Sequence, residues 1–404
     1  MTRFIHTSDW QLGMTRHFLR EEAQARFTQD RIDAIRKIGA LADEHTAEFV
    51  VVAGDIFESN QVAPQTVLRA LEALGTIPVP VLLLPANHDP LDSASVYRSR
   101  AFTDRKPDNV TVIESSDPLA VPAGRGSKGD EVLEGIEIVG VPWYSKRQVR
   151  DRVAEVLGQQ EQPVAGTTRV MVAHGIVDVL SPDAEATDLI GLAAAEAAIK
   201  EGRIHYLALG DRHSTTDVGE TGAVWYSGSH VATDFREEDP GNVLLIEIGG
   251  GAPLSVERLP VDEASAWTFV DQTFDLAGTK DVDALECFLE ERPDKARTIV
   301  RLAMTGQLSI TAMARLDEVL AEYGDLFASL REWERHTDLA VLPDELDAES
   351  LDLSGYARTT WDELAAQAAG SGDEARVAAD ALALLFRFTR SDQDEAPAVR
   401  GASS

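Results

Sequence analysis

The sequence RFIHTSDWQLG, residues 3–13, has the pattern of a buried strand that ends in a polar turn. Phe4 and Ile5 form the apolar run, and Asp9 follows where the strand is expected to end. Loops after the strands of an open α/β sheet meet at one edge, so Asp9 is placed to bind a ligand. Gln11 offers an amide oxygen two residues later, which is a neutral and weaker metal ligand than an imidazole. The stretch therefore raises the question whether Asp9 and Gln11 belong to a working metal site.

The same pattern recurs through roughly the first 260 residues. Short β-branched runs alternate there with stretches that have apolar residues at helical spacing, such as RFTQDRIDAIRKIGALADEH and VAPQTVLRALEAL. The runs are almost continuously apolar, which indicates strands buried on both faces and an α/β fold with helices outside. The predicted strands are EFVVVAGD, VPVLLLPANHD, IEIVGVPW, RVMVAHG, IHYLALGD, AVWYSGS and NVLLIEI.

The composition is that of a folded globular protein. The 404 residues are enough for two or three domains, and 44% of them are hydrophobic. The sequence contains no apolar run of membrane-spanning length and begins without a secretory pattern. We therefore expect a cytoplasmic protein with no membrane partner.

The formal net charge of −32 repels phosphate backbones at long range. Either the substrate is small, or a partner or a local basic patch provides the contact with nucleic acid. Two runs of basic residues are candidate patches, and both are alternatively solvated helix faces. They comprise Arg98, Arg100, Arg105 and Lys106 in the first run, and Lys146, Arg147, Arg150 and Arg152 in the second.

Five predicted strand ends carry groups that can bind a metal. Cys287 is the single cysteine and is expected to pack inside a helix, so the ligands have to be carboxylates, imidazoles and amides. One such group after a strand is weak evidence, whereas five in order predict a site for manganese, iron or zinc. The groups are Asp9 with Gln11, Asp55, Asn87 with His88 and Asp89, His174, and Asp211 with His213.

The motifs HTSDWQLG, AGDIFES, ANHDP, LALGDRHS and YSGSHVATDFRE resemble those of the SbcD nuclease subunits, a family of calcineurin-like metallophosphoesterases in double-strand-break repair. The resemblance covers roughly residues 1 to 260. It implies a layered α/β/β/α sandwich, two divalent metal ions and hydrolysis of DNA phosphodiesters. It also implies an SbcC/Rad50-like coiled-coil ATPase as partner, which binds a C-terminal helical segment, and it leaves a homodimer open.

The resemblance also implies a role for each site residue. One ion would be held by Asp9, position 11, Asp55 and His213, and the other by Asp55, Asn87, His174 and position 211. Gln11 and Asp211 stand where the family usually has histidine, which moves the site toward oxygen ligation. Oxygen ligands favour Mn²⁺, with Mg²⁺, Fe²⁺ or Zn²⁺ as alternatives. The alternative reading of both replacements is a weakened or lost site.

The remaining site predictions concern four residues near these motifs. His88 is expected to be the catalytic group, since an imidazole can protonate the leaving oxygen or stabilise phosphoryl charge; its alternative is to orient the ligands. Asp89 is expected to support a neighbouring ligand or a turn. His17 is a candidate contact to nucleic acid and His230 a candidate substrate-binding or metal-proximal residue, and each is alternatively structural.

Four segments are predicted along the chain: a nuclease domain over residues 1–262, a small α+β cap over 263–343, a helical partner-binding extension over 344–392 and a disordered tail over 393–404. The leading functional hypothesis is a DNA exonuclease or endonuclease. A small-molecule phosphodiesterase or phosphatase suits the acidic charge better. A catalytically weak scaffold of an ATPase complex is the third hypothesis.

Overall fold

The structure is a computed structural model that describes residues 1–123, 131–183, 186, 189–249, 252–261, 266–342, 355–368 and several positions between 370 and 385. The chain forms two compact units, the first of which is Met1–Trp267. The second unit begins at Thr268. The four predicted segments remain a prediction.

The first unit contains twelve strands and five α-helices within the described residues. Its strands are β1 (Thr2–Thr7), β2 (Phe49–Val52), β3 (Val81–Leu83), β4 (Val110–Val112), β5 (Leu119–Pro122), β6 (Val132–Gly140), β7 (Thr168–His174), β8 (Tyr206–Gly210), β9 (Thr216–Asp217), β10 (Val224–Tyr226), β11 (Asn242–Gly249) and β12 (Ala252–Pro260). Its helices are α1 (Glu21–Glu44), α2 (Pro64–Leu74), α3 (Arg100–Thr103), α4 (Arg152–Gln159) and α5 (Leu192–Lys200). All seven strands predicted from the sequence are present.

These strands form two six-stranded sheets, in the orders β12-β11-β1-β2-β3-β4 and β5-β6-β7-β8-β10-β9. One apolar core draws residues from both sheets: the rings of Phe4 and Phe49 stack at 4.8 Å, and Tyr206 of the second sheet meets Phe4 edge-on at 5.7 Å. The outward-facing Ile5 and Val50 are fully buried as well, so strand β1 and strand β2 are covered on both faces. The predicted layered α/β sandwich is confirmed.

Parallel pairing aligns the strand ends that carry the polar groups. Strands β1, β2 and β3 are parallel neighbours in the first sheet, and β6, β7 and β8 are parallel neighbours in the second. The carboxyl ends within each set therefore lie at the same edge of their sheet. A bridge between Ser8 and Ser229 joins the loop after β1 to the loop after β10.

The second unit contains a sheet flanked by helices. Strand β14 (Thr298–Ser309) pairs in parallel with β13 (Thr268–Leu276), β15 (Ser329–Glu332) and β16 (Asp338–Leu342). Helix α6 (Thr279–Glu290) connects β13 to β14, and α7 (Ile310–Gly324) connects β14 to β15. The sheet is thus wholly parallel among the described strands, with α-helices on the connections from β13 to β14 and from β14 to β15.

The prediction that Cys287 is buried is wrong. The residue lies in helix α6 as predicted, but on its exposed side, while Val282, Leu285 and Leu289 form the buried stripe. Its thiol faces the carboxylate of Glu291, one turn further along.

The C-terminal part of the second unit includes helix α8 (Tyr356–Ala368). Trp361 and Leu382 are fully buried in a cluster with Ile310 of α7, so this apolar surface packs within the unit. Leu384 is 48% exposed and Leu385 packs against this cluster, whereas Phe386 and Phe388 of the extension predicted to bind a partner lie outside the described residues. The described helices include none that is long and apolar enough to span a membrane.

Candidate metal centre

The loops after β1, β2 and β8 are joined through their backbones. The N–H of Asp9 donates to the carbonyl of Gly54 at 3.0 Å, and the N–H of Gln11 donates to that of Asp55 at 2.7 Å. The N–H of Asp211 donates to both carboxylate oxygens of Asp9, at 3.1 and 3.2 Å. Three strand ends from both sheets are therefore held at one place.

Four of the predicted ligand residues have a left-handed backbone. The φ angles are 55° for Asp9, 41° for Gln11, 52° for Asp55 and 99° for Asp211. Non-glycine residues adopt this region at a cost of about 1–3 kcal/mol each, and they do so mainly at functional sites. Four such conformations in these loops indicate specialised turns that orient the predicted ligand side chains.

Two glycines permit the close approach of β2, β7 and β8. A Cβ on Gly210 would lie 2.0 Å from the carbonyl oxygen of Ala53, and one on Gly54 would lie 2.2 Å from Nδ1 of His174. Gly54 and Gly210 are therefore required sterically, because a side chain at either position would collide with the imidazole of His174 and, at Gly210, with the carbonyl of Ala53.

The buried side chains of Asp9, Asp55 and His174 place one ligand atom each within 4.8 Å of the others. Nε2 of His174 lies 3.4 Å from Oδ2 of Asp55 and 3.6 Å from Oδ1 of Asp211. Nδ1 of His174 donates to the carbonyl of Ala53 at 2.8 Å, which leaves Nε2 to carry the lone pair in the neutral ring. These side chains share one small space without bonding to one another.

Burial and charge act in opposite directions on these groups. Burial raises the pKa of Asp9, and His174 and His213 only partly offset it. Burial would also raise the pKa of Asp55, but the positive charge of His174 holds it below the usual value. Burial would lower the pKa of His174, yet the charge of Asp55 raises it well above normal. The cluster is thus a concentration of buried negative charge that a cation would stabilise.

The donor atoms present fit a divalent metal. Three of the predicted ligand residues carry a buried polar atom that has no hydrogen-bond partner among the described residues: Oε1 of Gln11, Oδ1 of Asn87 and Nε2 of His174. Buried polar atoms are nearly always paired, so three unpaired ones on predicted ligand residues are unusual. Amide oxygen, imidazole and carboxylate together suit manganese, iron, magnesium or zinc.

His213 is oriented by a carboxylate that the sequence analysis did not single out. Its Nδ1 lies 2.8 Å from Oε1 of Glu237 and 2.9 Å from Oγ1 of Thr233. The other carboxylate oxygen of Glu237 accepts from the N–H of Thr233 at 2.7 Å. Burial would lower the pKa of His213, but the bond to Glu237 raises it. Glu237 is the last residue of the YSGSHVATDFRE motif, and its place in that motif is the feature of the sequence that could have identified it.

His88 lies beside the cluster. Its N–H donates to Oδ1 of Asp55 at 3.1 Å, and its Nδ1 donates to the carbonyl of Glu58 at 2.9 Å. Nε2 lies 3.9 Å from Oδ2 of Asp55, and 35% of the side chain is exposed. His88 therefore directs a free ring nitrogen toward the cluster while remaining open to solvent.

Asp89 lies next to this site but turns away from it. Its carboxylate accepts from Tyr97 Oη at 2.6 Å and from the N–H groups of Phe57 and Ala86 at 2.9 and 3.0 Å. Burial, followed by the charge of Asp55, raises the pKa of Asp89 to about 6. The carboxylate thus fastens the loop after β2 to the loop after β3.

The two less specific candidates, His17 and His230, each pack against an aromatic ring. His17 is exposed, with its ring against Phe18. His230 is 1% exposed, packs at 5.7 Å against the ring of Trp10, and donates from Nε2 to the carbonyl of Arg31 at 3.1 Å. Because the ring of His230 is closed off from solvent, it is not placed to contact a substrate.

Comparison with known proteins agrees with this architecture. Residues 2–243 match the calcineurin-like phosphoesterase family. The DNA double-strand break repair protein Mre11 of Haloferax volcanii is 26% identical over 339 residues, which cover 82% of this chain and 68% of that protein. The SbcD component of the nuclease SbcCD of Escherichia coli is 26% identical over 290 residues, which cover 64% of this chain and 68% of that component. Among solved structures, a dimetal phosphatase of Danio rerio aligns with a TM-score of 0.41 at 10% identity, over 65% of this chain and 97% of that one.

The chain belongs to the calcineurin-like phosphoesterase family, since the family match spans more than half of its length. The prediction of a metallophosphoesterase that hydrolyses phosphoester bonds is confirmed, as is the resemblance to SbcD. Members of this fold use divalent metals, and the cluster of Asp9, Asp55 and His174 is the candidate site.

Proposed function

We propose that this protein is the nuclease subunit of a DNA-repair complex and cleaves DNA phosphodiesters with two divalent metal ions. The observation that carries the proposal is the buried cluster of Asp9, Asp55 and His174, together with the unpaired buried oxygens of Gln11 and Asn87 on loops that hydrogen-bond to Asp55. Such a set is costly without a cation and well suited to one.

Seven residues would hold the ions, in the two groups that the family resemblance implies. Asp55 is the proposed bridge, since its two oxygens face different neighbours: Oδ1 accepts from the N–H of His88, and Oδ2 faces His174. When bound, the ions would neutralise the phosphodiester and lower the pKa of an attacking water. The proposed ligands are Asp9, Gln11, Asp55, Asn87, His174, Asp211 and His213.

His88 is the proposed catalytic group. Its Nδ1–H is occupied by the carbonyl of Glu58, so Nε2 is the atom available to exchange a proton with the leaving oxygen or to contact the phosphoryl group. Its partial exposure allows a substrate to reach it. Gln11 and Asp211 make the site richer in oxygen, and Mn²⁺ is the proposed metal.

A coiled-coil ATPase of the SbcC/Rad50 kind is the proposed partner. Support comes from the relatives, one of which is named as a subunit of the SbcCD nuclease and another as a double-strand break repair protein. A homodimer and a cytoplasmic location remain predictions from the sequence.

The test is digestion of linear DNA by the purified full-length chain with Mn²⁺, with and without the ATPase, alongside metal analysis of the same preparation. We expect DNA cleavage and two bound ions. Hydrolysis of a chromogenic phosphodiester without DNA cleavage would favour a small-molecule phosphodiesterase. Absence of bound metal and of all hydrolysis would favour a scaffold.

A further inference from the structure

A groove of about 520 Å³ opens beside Asp211 and His213 in the first unit. Three arginines from separate parts of the chain line it: Arg16 from the loop after β1, Arg212 from between the two proposed ligands, and Arg236 from the loop after β10. Neither basic run identified in the sequence contributes to this lining. The fold thus brings three arginines together beside the candidate metal centre, where they share the groove with the carboxylates Asp211, Asp234 and Glu237.

Two of these arginines are held in place without a carboxylate partner. Arg16 donates from Nη2 to the carbonyl of Thr233 at 2.7 Å, and Arg212 donates from Nε to Oγ1 of Thr216 at 2.9 Å. Within the described part of the chain, neither guanidinium forms an ion pair. In a protein with 69 acidic and 37 basic residues, two positioned but unpaired guanidiniums in one groove require an explanation.

The acidic residues of the groove have other partners. Asp234 pairs with Arg236 at 3.2 Å, and Glu237 is bonded to His213 at 2.8 Å. Asp211 faces Nε2 of His174 at 3.6 Å and is a proposed metal ligand. The charge of Arg16 helps to lower the pKa of Asp234, but neither Arg16 nor Arg212 forms an ion pair with these carboxylates, so both guanidiniums can donate to an anionic ligand.

We propose that Arg16 and Arg212, with Arg236 at the rim, bind the phosphates that flank the scissile one in a phosphodiester strand. The inference rests on the proposed function and names the substrate as a polyanionic chain, in contrast to a compound with a single phosphate. Guanidiniums suit phosphates because they donate paired hydrogen bonds at fixed geometry. Ile176 and Leu180 also line the groove and give the bases an apolar surface.

The charge distribution explains how a chain of net charge −32 could hold nucleic acid without a broad basic face. In the second basic run, Arg150 and Arg152 both pair with Glu155, at 2.8 and 2.6 Å. In the first run, Lys106 donates to the carbonyl of Val110. The groove is the better site because its arginines adjoin the proposed ligands Asp211 and His213.

The test measures binding of a fluorescein-labelled single-stranded oligonucleotide by anisotropy in Mn²⁺, for the full chain carrying His88→Ala to suppress cleavage, and for the same chain with Arg212→Gln or Arg16→Gln added. Each substitution should weaken binding roughly fivefold to tenfold and reduce the slope of log K against log salt by about 0.7. Arg100→Gln and Arg147→Gln, taken from the two sequence runs, make the same change of charge at exposed positions and should leave binding unchanged.

Hydrolysis of bis(p-nitrophenyl) phosphate provides the second measurement, because this diester has no flanking phosphates. Each arginine substitution should reduce affinity for the oligonucleotide by a factor about fivefold or more larger than the factor by which it reduces the hydrolysis rate of the small diester. Equal losses on both, no weakening by Arg212→Gln, or equal weakening by the two controls would overturn the inference. Binding that depends on Arg212 without any DNA cleavage would refute the proposed nuclease function and leave the phosphate contacts established.

Discussion

Nε2 of His174 lies 3.4 Å from Oδ2 of Asp55, and the two atoms do not form a hydrogen bond. Two ligands bound to one cation at about 2.1 Å lie about 3.0–3.4 Å apart, so this separation is the one expected around a shared ion. The bond from Nδ1 of His174 to the carbonyl of Ala53 fixes the ring in that orientation. We therefore expect metal binding to depend on the carboxylate of Asp55 and on the fixed imidazole of His174 beside it.

Asp55→Asn should remove phosphodiester cleavage and at least one bound ion together, because a bridging position needs a carboxylate with both oxygens anionic. Metal stoichiometry and turnover would be measured on the same sample. Asp104→Asn, an exposed aspartate in the same unit, is the matched control and should retain both. An Asp55→Asn protein that is active with two ions would show that Asp55 does not bridge them.

His88→Ala should lower cleavage by about 10²–10⁴-fold while metal content stays nearly unchanged. The reason is that His88 directs Nε2 toward the cluster from 3.9 Å but carries none of the unpaired buried atoms. Single-turnover cleavage and metal analysis would be compared between wild type and variant. Loss of an ion in the variant would contradict this role and make His88 a ligand.

Glu237→Gln should weaken metal binding at the His213 position about 10–100-fold, because the carboxylate orients the imidazole and raises its basicity. Titration of the metal-free protein with Mn²⁺ would measure the effect. Glu238→Gln is the control, since this substitution makes the same chemical change at a neighbouring glutamate that is exposed. If both variants bind Mn²⁺ as wild type does, Glu237 has no part in positioning His213.

His6 predicts a pH dependence of stability that is independent of the metal. Its ring is fully buried, with Nδ1 near Tyr206 Oη and Nε2 near the carbonyl of Leu209, both at 3.1 Å. Burial lowers the pKa of His6 from 6.5 to about 3, so between these values the unfolded chain binds a proton that the folded chain does not. Stability from this group is therefore complete above pH 6.5 and is lost as the pH falls, by about 1.4 kcal/mol per pH unit.

His6→Gln should remove that part of the acid sensitivity. Urea unfolding at pH 4.5 and pH 7 would be compared for the variant, for wild type and for His17→Gln, which replaces an exposed histidine. The difference in unfolding free energy between the two pH values should be smaller only in His6→Gln. An unchanged difference would mean that His6 titrates alike in the folded and unfolded chains.

The sequence predicted the strands of the first unit well, because their apolar runs are buried on both faces and end in distinctive turns. It also identified Asp9, Asp55 and His174, since parallel strands bring their ends to one edge. The pairing of Glu237 with His213 was not visible, because it depends on how the loop after β10 folds back. The three-arginine groove was also missed, because positions 16, 212 and 236 are far apart in the sequence and only the fold brings them together.

Local patterns also gave an incomplete account of burial in the second unit. Cys287 was predicted to be buried from the usual behaviour of free cysteine, but the apolar stripe of helix α6 lies on another face. Within the extension predicted to bind a partner, Leu382 packs in one cluster with Trp361 and Ile310 of α7, while partner binding by the extension stays a prediction. In both cases the tertiary arrangement decided which surface is covered.

Restoring the family's two histidines tests whether Gln11 and Asp211 are working ligands. Oε1 of Gln11 is buried without a partner in a loop that hydrogen-bonds to the backbone of Asp55, and Oδ1 of Asp211 lies 3.6 Å from Nε2 of His174. Gln11→His combined with Asp211→His should shift the metal that supports cleavage from Mn²⁺ toward Zn²⁺ or Co²⁺, because imidazole nitrogen suits these ions better.

The backbone requires a folding control for this double variant. The φ of 41° at Gln11 lies near the left-handed region that histidine tolerates, while the φ of 99° at Asp211 lies beyond it. Both single variants would therefore be measured beside the double variant, with thermal unfolding and cleavage rates in each metal. A wild-type protein that is inactive in Mn²⁺, Mg²⁺, Fe²⁺ and Zn²⁺ with its ATPase present, but active once both histidines are restored, would show that the natural site has lost its function. We expect the wild type to be active, because each of the seven proposed ligand positions carries a competent donor and three of those donors are buried and unpaired.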